Sequence, residues 1–369
     1  MSRKVTLQDI ADALNLSRNT VSKAINNSSG ISDSTREMIL QKAVEMGYKQ
    51  FSYVKSASAT PFINSEYFKG GDTPKEIALF TTSALTTSHF ASLMLDKLLD
   101  EIQSMGLSLV TYRVTNDDLS NLKLPITFNK NNVCAVICIE IFDYAYSEML
   151  CTLDLPVLFV DCPPLIGGKE LNADILLMNN TTGISQVIND CIKNGTQRFG
   201  FIGDYMHCQS FFERYSAFRT SLLANELPID EKYIIRYEDG NVSTMAKQLE
   251  SLERFPEVFI CANDFVAIDA MLILRNLSKK IPEDIRFLGF DDSQESRSFS
   301  PTLSTVHIHT QSMAYSAVQL LASRMIDPKL ENRIVHVATD LIYRESLTID
   351  NDEVKEWNSS HMKVALAKY

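Results

Sequence analysis

The sequence predicts an α/β protein in which a small all-α head precedes a body of two doubly wound lobes. Three observations carry this. The first 48 residues hold three short helical patterns, the first two separated by a tight turn, which is helix-turn-helix organisation. From Glu76 onward, near-continuously apolar strand patterns alternate with amphipathic helical ones, the signature of parallel sheets covered on both faces. In a chain of 369 residues these units are too many for one small sheet, so two lobes with a cleft between them is the economical arrangement.

The head begins with Thr6 as N-cap of a helix over Leu7 to Leu14, where Leu7, Ile10, Ala11 and Leu14 share one apolar face. Asn15 suits the left-handed turn that ends it. Ser17 caps a second helix, Arg18 to Asn26, with Val21, Ala24 and Ile25 inward. After the breaker "NNSSG", Ser32 or Asp33 caps a third helix ending near Gly47. Residues 49–75 lack periodicity and are rich in Ser, Gly, Pro and scattered aromatics, so they are expected to be a hinge or linker.

In the body, "EIALF", "LSLVTY", "VCAVICIEI", "LPVLFVD", "RFGFIGD", "YIIRY", "EVFICAND" and "IRFLGFDD" read as strands. Between and after them, "ASLMLDKLLDEIQSMG", "GISQVINDCIKNG", "RYSAFRTSLLANE", "STMAKQLESLE", "VAIDAMLILRNL" and "QSMAYSAVQLLASRMI" read as helices. The expected domains are a head over 1–48, a linker over 49–75, a body over 76–348 and a tail over 349–369. Lobe 1 is drawn over 76–175 and 306–332, lobe 2 over 176–305 and 333–348.

Composition excludes several classes. Hydrophobic residues make up 45% and charged residues 22%, an ordinary globular balance. No run approaches the ~18 apolar residues of a membrane span, and the start lacks a secretory core, so a cytoplasmic protein without a membrane partner is expected. The seven cysteines are scattered without a CxxC pair, and reduced thiols follow. The net charge of −11 is uneven: residues 1–55 hold eight Lys or Arg against five acids, so the head is +3 and the remainder −14. A basic head on an acidic body suits a polyanion-binding module attached to something that should not itself hold nucleic acid.

No catalytic set emerges: there is no GxSxG and no GxxxxGK[ST], and neither an enzyme nor a cofactor is expected. His307 and His309 alternate to one strand face, but a lone HxH lacks further ligands, so no metal is expected. Asp291 and Asp292 are adjacent at a strand end and point oppositely, poor geometry for a shared acid–base pair.

The segment "VTLQDIADALNLSRNTVSKAINNSSGISDSTREMILQKAVEMGY", with "ERYSAF" after "FGFIGD", "CANDFVAIDA" and "FLGFDDSQESRSFSPTLSTV" in order, resembles the lactose-repressor/galactose-repressor (LacI/GalR) family of bacterial transcription regulators. The resemblance runs from about Val5 to Leu347. It implies a helix-turn-helix head and a body like the periplasmic sugar-binding proteins. It also implies double-stranded operator DNA and a small effector (sugar, sugar phosphate or nucleoside) as partners, and a homodimer. By match to the family, Arg18 and Asn19 read bases, with Lys23 one turn later where the family mostly has Arg. Arg can fork onto guanine and Asn can pair with adenine, while Lys is a single point donor. Thr6, Ser17, Thr20, Ser32 and Thr35 are placed for phosphates, and Asn26 for a further contact.

The linker departs from the family. Gln50 and Phe51 replace the usual Pro-Asn after the tyrosine matched by Tyr48, and Ala57 falls where a leucine wedges the minor groove. A wedge needs a bulky apolar side chain, so either Tyr53 or Val54 serves, or the DNA is bound without a central kink. In the body, the resemblance puts Asp161, Ser210, Arg214, Asn263 and Asp291 at the cleft, with His89 and Phe90 walling the first lobe. Carboxylates with Arg and Asn suit vicinal hydroxyls, although Asp161 and Asp291 can equally cap neighbouring helices. The expected function is a ligand-controlled repressor of carbohydrate-related genes. The alternative is a sugar-binding protein whose head no longer reads DNA.

Overall fold

The computed structural model describes residues 6–25, 35, 38–39, 42–43, 46, 76–82, 89–237 and 241–349. The chain divides into two compact units, 1–67 and 68–369.

In the head, α1 (Leu7–Leu14) starts at a capping box in which Thr6 and Asp9 satisfy each other's backbone amides, and it ends at Asn15 with φ 58°. Both ends behave as their residue types dictate. Ser17 Oγ accepts from the Thr20 amide at 3.0 Å and so caps α2 (Arg18–Ile25). Ile10, Ala11, Val21 and Ala24 form a buried core with Ile39 and Ala43, two helical residues of the third segment. The expected contacts Asn26 and Ser32, the hinge with Gln50, Phe51 and Ala57, and the tail from residue 350 lie outside the described residues.

The first lobe is built on β1 (Glu76–Thr81), β2 (Ser108–Arg113), β3 (Val133–Ile139), β4 (Val157–Val160), β5 (Asp174–Met178) and β11 (Ile334–Val337). They form one parallel sheet in the order β11-β5-β4-β3-β1-β2. Its helices include α3 (His89–Ser104), α4 (Asn116–Asn121), α5 (Tyr144–Cys151) and α11 (Thr310–Ile326), and α11 packs on α3 and on β4 and β5. On one face Phe80, Tyr112 and Phe128 make a cluster with ring centroids 5.2–5.6 Å apart.

The second lobe is built on β6 (Phe199–Ile202), β7 (Ile234–Ile235), β8 (Val258–Cys261) and β9 (Arg286–Leu288), parallel in the order β7-β6-β8-β9. An antiparallel ribbon joins β10 (Thr305–Ile308) to β12 (Thr339–Ile342). Its helices are α6 (Thr182–Lys193), α7 (Gln209–Ala224), α8 (Val242–Glu250), α9 (Asp264–Asn276) and α10 (Gln294–Ser298).

Sheet membership corrects the lobe boundaries drawn from sequence. β5 continues to Met178 within the first sheet, and β11 pairs with β5 there. β10 belongs to the second lobe, where Asp291 bridges His307. The chain therefore passes between lobes at 179–181, at 309 and at 338. The expected strand over "YIIRY" shrinks to Ile234–Ile235, and α7 starts at Gln209, five residues before the expected Arg214. All seven cysteines are free, five of them buried.

Candidate functional site

The carboxyl ends of several body strands turn sharply through non-glycine residues. Glu140, Asp161, Asp291 and Asp292 have φ of 58°, 60°, 113° and 54°. Such backbone costs free energy and persists where the surroundings hold it. Carboxyl ends of strands in open α/β sheets are also where ligands bind.

Arg214, in the second turn of α7, is 2% exposed. Its Nε donates to Asn180 Oδ1 at 2.9 Å and its Nη1 to the Ala262 carbonyl at 2.6 Å. The guanidinium lies 3.5 Å above the centroid of Phe290, a cation–π contact that fixes its plane. Its Nη2 group has no hydrogen-bond partner among the described residues and is not sealed from solvent. Beside it, Asp291 Oδ1 is 3.9 Å from Nη1, and the Asp291 carboxylate accepts no hydrogen bond among the described residues. Asn263 caps α9 by accepting from the Val266 amide at 2.9 Å, and its Nδ2 has no partner among the described residues. Arg214 from α7 and Asp291 from the end of β9 thus set a donor beside an acceptor, with Asn263 at the end of β8.

The carboxylates here are differently treated. Burial pushes the Asp291 carboxyl up to about 7, with Arg214 opposing and Asp264 and Asp161 reinforcing. Burial also raises Asp264, to about 6, although Thr305 Oγ1 and the Ser293 amide donate to it at 2.6 and 2.7 Å. Gly289 makes room for that carboxylate, since a Cβ there would meet Asp264 Oδ1 at 2.2 Å. Asp292 is the reverse. Burial pushes it up, but His307, Arg297 and Arg344 donate to it and hold the carboxyl well below the usual range.

Asp161 reaches from the first lobe to the start of α7 in the second. Its Oδ1 accepts from the amides of Cys162 and Ser210 at 2.9 and 3.1 Å. The Gln209 amide donates to the Cys162 carbonyl at 2.8 Å, and Gln209 Oε1 accepts from the Leu165 amide. Burial raises Asp161, opposed by Cys208, Cys162, Ser210 and Arg214. The helix-capping alternative is thus what Asp161 does. The Ser210 hydroxyl, expected at the cleft, is turned inward, donating to Met178 Sδ at 3.1 Å and accepting from Asn180 Nδ2 at 3.2 Å. Asp291 caps no helix. His89 and Phe90 open α3, and their side chains lie outside the described residues.

On the head, Ser17, Arg18, Asn19 and Lys23 are exposed while Val21 and Ala24 on the opposite side of α2 are buried. An amphipathic helix with that polar row can enter a major groove. Thr6 is exposed, while Thr20 and Thr35 are half-buried.

Two family profiles match the chain in order. Residues 6–50 match the bacterial regulatory proteins of the lacI family, and residues 188–347 match a periplasmic binding protein-like domain. The chain belongs to the LacI family of bacterial regulatory proteins. Among curated relatives of this LacI-family chain, the HTH-type transcriptional repressor PurR of Histophilus somni (strain 2336) is 23% identical over 347 residues, covering 93% of this chain and 98% of the relative. A probable HTH-type transcriptional repressor ExuR of Bacillus subtilis (strain 168) is 26% identical over 353 residues, with the same coverage. Among solved structures, a transcriptional regulator CelR–cellobiose complex aligns with TM-score 0.64 and 21% identity, over 93% of this chain and all of that one. The lac repressor dimer bound to operator and the anti-inducer ONPF aligns with TM-score 0.61 and 19% identity, over 93% and 99%.

Within this LacI-family body, Arg214 and Asp291 lie 3.9 Å apart and Asn263 caps α9 at the end of β8, and further residues that sequence reasoning missed join Arg214. Asn180 is fully buried and joins Arg214, Ser210 and Glu213. Glu213 in turn lies 3.2 Å from His336 Nε2 on β11. Phe290, directly before Asp291, supplies the ring under Arg214. His307 and His309 stack edge to face, but they face Asp292 and Asp340 separately. No group of metal-ligating side chains is assembled among the described residues.

Proposed function

We propose that this LacI-family regulator represses carbohydrate-related genes as a cytoplasmic homodimer, and that a sugar-like effector held by Arg214, Asn263 and Asp291 controls its grip on operator DNA. It performs no catalysis in this reading. The observation that carries it is the open trio. Among the described residues, Arg214 Nη2 and Asn263 Nδ2 are donors without partners, and the Asp291 carboxylate is an acceptor without one. A hydroxyl is both donor and acceptor, so a pair of neighbouring hydroxyls satisfies this set. A ligand lacking them leaves buried polar groups unpaired and is rejected. The exposed row Arg18, Asn19 and Lys23 supplies the reading surface on the head. The relatives named as transcriptional repressors support the direction of control.

The test has two arms. An operator is first selected from genomic fragments by gel-shift. Arg18→Ala is expected to weaken that site by about 1–3 kcal/mol with little loss on random DNA. An equal loss on both would mean that Arg18 touches only phosphate. Absence of any salt-sensitive binding would favour the sugar-binding alternative without DNA reading. In the second arm, a sugar that alters operator affinity must lose that effect in Asp291→Asn.

A further inference from the structure

This inference rests on the effector reading above and narrows it. We infer that the effector is an uncharged polyhydroxylated molecule, and that the cleft rejects anions of the same shape such as uronates, sugar phosphates and nucleotides.

The charge balance around the trio is acidic. One guanidinium, Arg214, faces the buried carboxylates Asp161, Asp264 and Asp291. The nearby cations are committed elsewhere. Arg297 and Arg344 are both clamped on Asp292. Arg236, just after β7, lies 3.8 Å from Asp204 and over the Tyr205 ring.

An anion's other usual seat, a helix N-terminus, is also taken at α6, α7 and α9. At α7 the first amides donate to the Cys162 carbonyl and the Asp161 carboxylate. At α9, Asn263 Oδ1 takes the Val266 amide and Asp264 itself sits in the first turn. At α6, Asn179 Oδ1 accepts from the amides of Thr181 and Thr182. A phosphate or carboxylate needs donors only, and it would have to lie beside an Asp291 that is already deficient in them. A hydroxyl needs one donor and one acceptor, which is what Arg214 and Asp291 offer side by side. Apolar surface for the C–H face of a ring is at hand. Phe142, His207 and Phe211 contact one another with centroids 4.8 and 5.4 Å apart, and Arg214 lies 5.4 Å from the Phe211 centroid.

The experiment is calorimetry on the purified full chain at about pH 8, where Asp291 is ionised. Glucose and galactose are compared with their uronates and 6-phosphates, cellobiose with cellobionate, and adenosine with adenosine monophosphate. The expected result is that a neutral member binds and its charged analogue binds about 10-fold or more weakly, since one like charge in a poorly screened site costs this much. Asp291→Asn is expected to narrow that gap to less than about 3-fold. An anion that binds as tightly as its neutral parent overturns the inference, as does the failure of every neutral member. In the first case Arg214→Gln separates the two readings, with circular dichroism confirming the fold. Lost binding leaves the cleft assignment standing and only the charge rule wrong, whereas unchanged binding means the cleft is not the site.

Discussion

Asp291→Asn is expected to stabilise the ligand-free protein while abolishing its response to effector. The Asp291 carboxylate is buried beside two others, has no hydrogen bond among the described residues, and meets Arg214 only at 3.9 Å. A carboxyl raised from 3.8 to about 7 corresponds to about 4 kcal/mol against its ionised form. Its side chain is 18% exposed and its ionisation depends on Asp264, so about 1–3 kcal/mol is the realistic gain. Because the folded value lies above the unfolded one, the wild type is unpenalised below about pH 4 and loses stability as pH rises to about 7. Asparagine has nothing to lose over that window. The advantage of the variant should therefore be absent near pH 4 and full at pH 8, read by urea denaturation at both values. A variant less stable than wild type at pH 8 would refute the reasoning. It would show that the ion pair with Arg214 outweighs burial and that the carboxylate is not held at a cost for a ligand.

Asp292→Asn is expected to do the opposite, destabilising by about 3–5 kcal/mol at neutral pH, because it leaves Arg297, Arg344 and His307 clustered around a neutral group. Wild-type stability from Asp292 is present above the unfolded value near 4 and lost as pH falls toward its depressed folded value. The difference between the two proteins should therefore shrink in acid, and a gap that stays constant to pH 3 would contradict this. Asn180→Ala strands the Arg214 Nε inside the protein and should cost about 2–4 kcal/mol in thermal or chemical unfolding. It should also lower effector affinity by about 10-fold or more, and calorimetry showing wild-type affinity would remove Asn180 from the positioning of Arg214.

Much of the architecture was legible because buried parallel strands are almost uniformly apolar. "VCAVICI" and "VFIC" admit few other readings. The head was legible from its punctuation, since Thr6, Asn15 and Ser17 each do locally what their side chains favour. Lobe membership was not legible. β5 and β11 pair although some 160 residues separate them, and β11 alternates between exposed and half-buried positions; no local pattern says which sheet a strand joins. "DILLM" escaped notice because no helix precedes it after β4, which breaks the expected alternation. In the candidate site, Arg214 and Asp291 were drawn to the cleft by the family resemblance, and the structure sets them 3.9 Å apart. Asn180 was not, because "MNNTTG" reads as ordinary turn chemistry before a helix. Its role depends on Glu213 and Arg214, which only the fold brings to it.

These missed residues bear on how a small ligand alters a two-lobed body. Asn180 lies in the 179–181 passage between lobes, and His336 stands two residues before the passage at 338. Glu213 bonds to Asn180 at 2.8 Å and lies 3.2 Å from His336. Asn180 also holds the ligand-facing Arg214. The start of α7 is simultaneously stitched to the first lobe through Asp161, Cys162 and Leu165. α7 is therefore a second-lobe helix whose first turns are bound to first-lobe atoms, His336 on β11 among them, and to Asn180 in one interlobe passage. In the proposed reading, a ligand pairing with Arg214 and Asp291 would pull on the same turns that join the two lobes. A control signal requires only that this pull be stronger at one angle than at another. In the proposed reading, the chain of contacts from Arg214 through Asn180 and Glu213 to the exposed His336 is the physical element whose two arrangements would differ, and Asn180→Ala cuts it without touching either the atoms of Arg214 and Asp291 that would meet the ligand or the lobe contacts of Asp161.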